Sequence, residues 1–163
     1  MANVLSPQEI LRIAIKVEAN GRNLYASLED KAGEERLKKM WSYLKEQEQK
    51  HADVFQEMLD KVGDYLVAEF SPGEYEAYLK AIASGYIFTQ ELVEKKATEG
   101  FASDIEAVEF GIYIEKESIL TYSALREYVL TAKQSVLDRV IEEERKHLVG
   151  LVALRDGLKK EIQ

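Results

Sequence analysis

The two histidines of the chain each lie three residues after a glutamate, in Glu48–His51 and again in Glu144–His147. On an α-helix, side chains three residues apart lie on the same face, so each pair can point a carboxylate and an imidazole at one place. Both groups are common ligands of divalent metal ions. Two such pairs, completed by glutamates from two further helices, would form a site for two metal ions.

Four segments of the chain can position these pairs, because each has an apolar residue at about every third or fourth position. This spacing is typical of a helix that faces the core of a bundle. Each apolar row is interrupted near its middle by charged or metal-binding side chains, which are, in chain order, Glu18, Glu48 with His51, Glu115, and Glu144 with His147. The pattern therefore predicts six ligands at mid-height of a four-helix bundle.

Capping signals and turns predict where these helices begin and end. The expected helices cover about residues 7–31, 34–62, 104–129 and 132–160. The capping signals are Ser6–Pro7, Ser71–Pro72, Ser103 to Glu106, and Thr131 to Gln134. In each of them a side chain can satisfy the free amides of a first helical turn. Short connections then make the helices of each pair antiparallel.

The segment between the two helix pairs, residues 63–103, is far longer than a hairpin turn. Such a crossover can run back along the bundle, so that the third helix starts at the far end. Glycine interruptions predict two short helices within it, over 73–84 and 86–97. We expect the whole chain, residues 1–163, to form one domain.

The two halves of the sequence resemble each other around these motifs. The matched positions are Glu18 and Glu115, Gly21 and Ser118, and Tyr25 and Tyr122. The tyrosines are candidates to hydrogen-bond the carboxylates, although a buried tyrosine also serves as ordinary core packing. The small residues either leave room for a small oxidant or allow close helix packing. Gln47 and Glu143, each directly before a motif glutamate, are candidates to orient an imidazole.

Composition and charge exclude several classes of function. The chain has 30 acidic and 22 basic residues, and its net charge of -8 disfavours nucleic acid and anionic membranes as partners. It has no cysteine, which excludes disulfides, thiolate zinc sites and rubredoxin-type iron centres. We find no signal segment and no apolar run of membrane-spanning length, so a cytoplasmic protein is expected.

Four carboxylates on core-facing rows would repel one another and would lose their hydration, which costs several kcal/mol per unpaired charge. Two divalent cations would balance the four negative charges and leave both imidazoles neutral, as metal ligands should be. Carboxylates with one imidazole per metal suit iron or manganese, although zinc or cobalt can occupy such a site in vitro. The residues alone therefore predict a dinuclear metal site.

With these six residues in this order, the chain resembles ferritin-like di-iron carboxylate proteins, and most closely their rubrerythrin-like branch, here without a rubredoxin domain. The resemblance implies an all-α fold: a ferritin-like antiparallel four-helix bundle with a long crossover containing short helices. It also implies that two iron ions, or manganese, are bridged by Glu48 and Glu144. In that arrangement Glu18 and His51 complete one metal position, and Glu115 and His147 complete the other.

The same resemblance implies that the chain reduces peroxide or dioxygen, with the four glutamates as catalytic residues. Rubrerythrins typically carry a further glutamate one turn after the first on the third helix, where this chain has Ser118. Because the chain has no cysteine, an external electron donor is expected. Two alternatives stay open, namely ferrous iron oxidation with sequestration, and a metal-free helical interaction module. A homodimer through aromatic residues of the crossover is a further possibility.

Overall fold

The protein is all-helical over the residues that the computed structural model describes, which are 7–62 and 90–162. The helices are α1 (Pro7–Lys31), α2 (Glu35–Asp60), α3 (Gln90–Glu99), α4 (Asp104–Arg126) and α5 (Gln134–Ile162). A short 3-10 turn, Thr131–Lys133, precedes α5. This architecture confirms the expected helical bundle.

Four long helices form the bundle, and α1 pairs mainly with α2 while α4 pairs mainly with α5. One apolar cluster joins the beginnings of α1 and α5 to the ends of α2 and α4. A second cluster joins the opposite ends of the same four helices. The helices of each pair are therefore antiparallel, and a middle layer lies between the two apolar clusters.

The start of α4 follows the predicted capping pattern. The side chain of Ser103 accepts a hydrogen bond from the amide of Glu106 at 3.1 Å. The carboxylate of Glu106 in turn accepts one from the amide of Ala102 at 2.8 Å. These bonds satisfy amides that have no partner within the helix, and they fix the point at which the chain turns into the bundle.

The start of α5 differs from the predicted one. Thr131 was expected to cap a helix from about residue 132, but the α-helix begins at Gln134 and the turn before it has no side-chain cap. The side-chain amide of Gln134 instead donates to the carbonyl oxygens of Val129, at 3.2 Å, and Arg126, at 3.4 Å. Gln134 thus hydrogen-bonds carbonyl groups at and just after the end of α4. This helix ends at Arg126 rather than near the predicted residue 129.

Within the crossover, α3 packs against α1 and ends at Glu99, two residues beyond the predicted end. Gly100 follows with φ of 75°, the left-handed conformation that commonly ends a helix, and its amide bonds to Lys96 at 2.9 Å. The predicted helix 73–84, the first residues of the predicted helix 86–97, and the signals at Ser6 and Ser71–Pro72 lie outside the described residues. The crossover aromatic residues proposed for a dimer lie there too.

No helix within 7–62 and 90–162 combines the length and apolar character needed to cross a bilayer.

Candidate metal centre

The middle layer of the bundle brings together all six side chains that the sequence singled out. Each is almost completely buried, with at most 3% of its surface exposed. Their potential ligand atoms form two overlapping groups, within each of which the atoms lie within 4.8 Å of one another. The first group is Glu18, Glu48, His51 and Glu144, and the second is Glu48, Glu115, Glu144 and His147. We refer to these six side chains as the cage.

Glu144 lies at the centre of the cage. Its Oε1 atom is 3.1 Å from Nδ1 of His51, and its Oε2 atom is 3.0 Å from Nδ1 of His147. The two imidazole rings stack with their centroids 5.7 Å apart and their planes 24° from parallel. Both histidines therefore present the same nitrogen, Nδ1, to the cage, and one carboxylate joins the two halves of the site.

Two tyrosines cross-link the halves. Tyr25, on α1, donates a hydrogen bond of 2.5 Å to Oε1 of Glu115, on α4. Tyr122, on α4, donates to Oε1 of Glu18, on α1. Each tyrosine thus holds the glutamate of the opposite helix and leaves that carboxylate's other oxygen facing the cage. In the sequence the tyrosines are candidates for bonding these carboxylates or for core packing; the structure shows the bonds, and it shows that the partners are exchanged between helices.

The outer nitrogens of the two histidines have different surroundings. Nε2 of His51 is 2.9 Å from Oε2 of Glu143, a half-buried residue directly before Glu144. Nε2 of His147 has no hydrogen-bond partner among the described residues. The ring of Tyr43 stands edge-on to the His147 ring, with the two ring centroids 5.7 Å apart. Glu143 therefore orients the imidazole of His51, as its position suggested. Gln47, at the matching place in α2, makes no such hydrogen bond to Nε2 of His147.

Gly21 makes room for a carboxylate of the cage. A Cβ atom at this position would stand 3.1 Å from Cδ of Glu48 and closer still to its Oε2 atom. The contact lies deep in the bundle, where Glu48 is only 1% exposed, so the carboxylate would have to move. The position was recognised in the sequence as a small residue beside the site, but its specific contact with Glu48 was not.

Burial and mutual repulsion make three of the four glutamates weak acids. Loss of hydration, with the charge of Glu144 as a further cause, raises the pKa of Glu115 to about 8. Burial and the neighbouring carboxylates also raise the pKa of Glu48 well above its usual value. The pKa of Glu18 is raised chiefly by burial, against the opposing effect of His51. Without a cation, the cage thus favours protons on these oxygens.

The two histidines and Glu144, in contrast, are stabilised in their charged forms. Burial by itself lowers the pKa of His51, but hydrogen bonds and charges from Glu144 and Glu18 outweigh it and raise this pKa to about 11. The same balance, with Glu115 and Glu144 as partners, raises the pKa of His147 to about 9. Burial raises the pKa of Glu144, but hydrogen bonds with both histidines outweigh this and lower it overall. Positive charge is therefore stabilised inside the cage.

The donor set fits a pair of metal ions. Within the described part of the chain, the buried Oε2 atoms of Glu18, Glu48 and Glu115 have no hydrogen-bond partner. Such unpaired oxygens cost free energy in a protein interior unless something binds them. Four carboxylates with two imidazoles are suited to iron or manganese, and the absence of cysteine leaves no thiolate for a softer metal. The geometry therefore supports a dinuclear carboxylate site.

Comparison with known proteins agrees with this geometry. The sequence pattern of the family described as Rubrerythrin matches residues 9–154. The chain belongs to the Rubrerythrin family. This confirms the resemblance that the six residues indicated. Among solved structures, the fold is similar to that of a Thermotoga maritima protein described as a ferritin-like diiron-carboxylate protein. The TM-score is 0.67 at 23% identity, and the match covers 96% of this chain and 98% of that one.

No curated protein was found to match the chain. The family and the carboxylate–histidine cage together support a di-iron type of site in this Rubrerythrin-family protein.

Proposed function

We propose that the chain binds two iron ions in the cage and uses them to reduce peroxide, with dioxygen as the competing oxidant. The observation that carries this proposal is the set of three buried carboxylate oxygens without hydrogen-bond partners, on Glu18, Glu48 and Glu115. Hydrogen bonds from the protein would have been enough to stabilise carboxylates that serve only structure. Oxygens left unpaired at the centre of a bundle are better explained as ligands.

In this proposal Glu48 and Glu144 would help to hold both ions, since each of them belongs to both groups of potential ligands. Glu18 with His51 would complete one position, and Glu115 with His147 the other. When bound, two ferrous ions can supply two electrons to one small oxidant. With two protons, that converts one hydrogen peroxide molecule into two waters.

The surrounding residues would keep the ligands in position during this change of charge. Tyr25 and Tyr122 each stay protonated, and each hydroxyl donates a hydrogen bond to one oxygen of Glu115 or Glu18, respectively. When a metal ion displaces the proton from Nδ1 of His51, Glu143 would still accept a hydrogen bond from Nε2, and the lone pair on Nδ1 would face the cage. The apolar clusters on both sides limit the contact of the cage with bulk water, which strengthens the electrostatic interactions within it.

The electrons that restore the ferrous state must come from a centre outside this sequence. The sequence has no cysteine and therefore offers no ligands for a rubredoxin-type iron site. We propose an external electron donor for this reason.

The test begins with the iron and manganese content of protein purified without chelator, followed by rapid mixing of the anaerobically reduced protein with peroxide or dioxygen. We expect about two irons per chain, as the six-ligand cage of this bundle family implies, and faster oxidation by peroxide than by dioxygen at equal concentration. Faster oxidation by dioxygen, or release of ferric iron after it, would favour ferrous iron oxidation instead. Protein without bound metal would leave only an interaction module.

A further inference from the structure

Within the described residues, two cavities adjoin the cage from different sides of the bundle. One, of about 270 Å³, lies between α1 and α2, and Glu18 and Glu48 are among the residues that line it. The other, of about 350 Å³, lies between α2 and α5 and is bordered by His51 and Glu143. Only the first of these two cavities touches carboxylates of the cage. We call it the hairpin groove; its other walls are formed by Ile15, Ala19, Arg22, Gln49, Ala52, Asp53 and Gln56.

The cavity between α2 and α5 ends at the outer side of an imidazole. His51 presents Nδ1 to Glu144 at 3.1 Å, and its Nε2 atom faces Glu143 at 2.9 Å. A molecule in this cavity would meet the ring and its hydrogen-bond partner before any ligand oxygen. The cavity therefore gives poor access to the interior of the cage.

The hairpin groove has a polar mouth and small walls. The guanidinium group of Arg22 donates to Oε1 of Gln49, whose amide donates in turn to Asp53 at 2.8 Å. In the same lining, Ala19 and Ala52 contribute only methyl groups. The volume is several times the ~30 Å³ that one water molecule occupies, and the lining offers the polar partners that water needs. A small polar solute can be accommodated there by the same partners.

The second hairpin carries apolar side chains at four of the positions that match the groove lining. When the two halves are aligned on their glutamates and histidines, Ala52 corresponds to Leu148, and Arg22 corresponds to Ile119. Asp53 and Gln56 correspond in the same way to Val149 and Val152. Leu148 and Val152 pack against the apolar core cluster. Two other lining residues, Ala19 and Gln49, correspond to the charged Lys116 and Arg145. The ligands are thus repeated in both halves, whereas Ala52, Asp53 and Gln56 in the α2 wall of the groove are replaced by apolar side chains in α5.

We propose that small polar ligands of the metal ions, of the size of hydrogen peroxide, enter the cage through the hairpin groove, past Ala19, Ala52 and the hydrogen-bonded Arg22–Gln49–Asp53 chain. The proposal rests on the proposed function, because it needs metal ions in the cage. It adds a route, a side of entry and a ligand class. The positive charge of Arg22 also favours small anions at the mouth.

Azide, a small anion of similar size, is a suitable probe of the route. The association rate is followed by stopped-flow absorption on iron-loaded, oxidised protein. Ala52→Leu introduces the residue that the second hairpin has at the matching position, and Ala19→Leu fills the opposite wall. The matched control, Val136→Phe, adds bulk to the cavity between α2 and α5. Iron content and circular dichroism of every variant are measured alongside.

Ala52→Leu is expected to slow azide association by about tenfold or more, equivalent to roughly 1.4 kcal/mol in the barrier, with iron content unchanged. Val136→Phe should leave the rate as in the wild type. If Ala52→Leu lowers the iron content, Ala19→Leu provides the same test from the other wall. Unchanged rates in both leucine variants, slowing only in Val136→Phe, or no azide binding to iron-loaded wild type would overturn the route. Wild type that takes up no iron would instead overturn the proposed function and the route with it.

A charge variant tests the mouth of the groove separately. Arg22→Gln should slow association of azide several-fold through the loss of electrostatic attraction, while oxidation of the reduced protein by neutral hydrogen peroxide changes less. If Arg22→Gln slowed azide association and peroxide oxidation equally, or left azide association unchanged, this charge would have no role in entry.

Discussion

The two hairpins of this protein, α1 with α2 and α4 with α5, share their ligands but differ in the residues around them. Each contributes one glutamate, one Glu-x-x-His pair and one tyrosine that holds the glutamate of the other. Among the residues that the structure describes, the glycine beside a cage carboxylate belongs to the first hairpin alone, and so does the histidine with a carboxylate partner on its outer nitrogen.

This comparison separates two requirements of such a site. Ligand number, type and charge determine whether two ions can be held, and both hairpins satisfy them equally. The neighbours determine how firmly each ligand is oriented and from which side small molecules arrive, and here the hairpins differ. We therefore expect the two metal positions to bind with unequal strength and to be reached from one side.

The largest effect is expected at the one side chain that contacts both histidines. Glu144→Gln keeps the shape of the residue but removes its charge, so metal should be lost from both positions. The check is iron content per chain by elemental analysis. Glu142→Gln is the matched control, because Glu142 lies on the same helix but is exposed. Retention of about two irons by Glu144→Gln would contradict the central place of this carboxylate.

A smaller but still large effect is expected from Gly21→Ala. The added methyl group would displace Glu48, and overpacking of this kind typically costs about 1–3 kcal/mol of stability. Iron affinity should fall as well, because the displaced carboxylate belongs to both ligand groups. Thermal unfolding and iron titration measure the two effects.

The control for this variant is Gly157→Ala. In the described part of the chain, a Cβ placed at Gly157 on α5 would meet no atom within 4 Å apart from its chain neighbours and its own helix backbone. Alanine there should therefore stabilise the helix by about 0.5–1 kcal/mol. If Gly21→Ala behaves like this control, the close contact with Glu48 does not constrain the site.

A more moderate effect is expected from the outer partner of His51. Glu143→Gln weakens the acceptor for Nε2 and should lower metal affinity by about 10–100-fold, the usual range for such partners. The loss should fall mainly on the position that His51 completes, so a titration with iron should become more clearly biphasic. Gln47→Glu, at the matching place in the first hairpin, is the comparison. If Glu143→Gln lowered the metal affinity of both positions to the same extent, the two positions would not differ in strength as expected.

The smallest effect is expected in the stability of the metal-free protein as pH changes. Glu115, with its pKa raised from an ordinary 4.5 to about 8, destabilises the fold as pH rises through that interval. The stabilisation from His51 and His147 is complete below their ordinary pKa of 6.5 and is lost as pH rises through about 9 and 11. Glu144, with a lowered pKa, acts in the opposite direction only below pH 4.5.

Between pH 5.5 and 8.5, Glu115, His51 and His147 therefore all make the metal-free protein less stable as pH rises. In the presence of a chelator, the melting temperature should be higher at pH 5.5 than at pH 8.5. Metal binding displaces protons from the same oxygens, so the apparent iron affinity should rise over this interval. A melting temperature that increases towards pH 8.5 in the metal-free protein would contradict burial of these charges.

Spacing along the sequence was enough to find the six side chains, because residues three and four apart must share a helix face. It could not show which tyrosine bonds which glutamate, since that depends on how α1 and α4 are rotated against each other. The same holds for the contact of Gly21 with Glu48, which needs the distance between α1 and α2. At Thr131, the local capping signal was overridden because Gln134 bonds to the end of α4 instead.

The central claim is that six side chains from four helices hold a pair of metal ions inside the bundle. An anomalous-difference map from crystals of the protein purified without chelator tests it most directly, because it reports the number, identity and surroundings of bound metals. We predict two iron peaks among Glu18, Glu48, His51, Glu115, Glu144 and His147. A map with no peak within this cage, or with metal only at the protein surface, would contradict the claim.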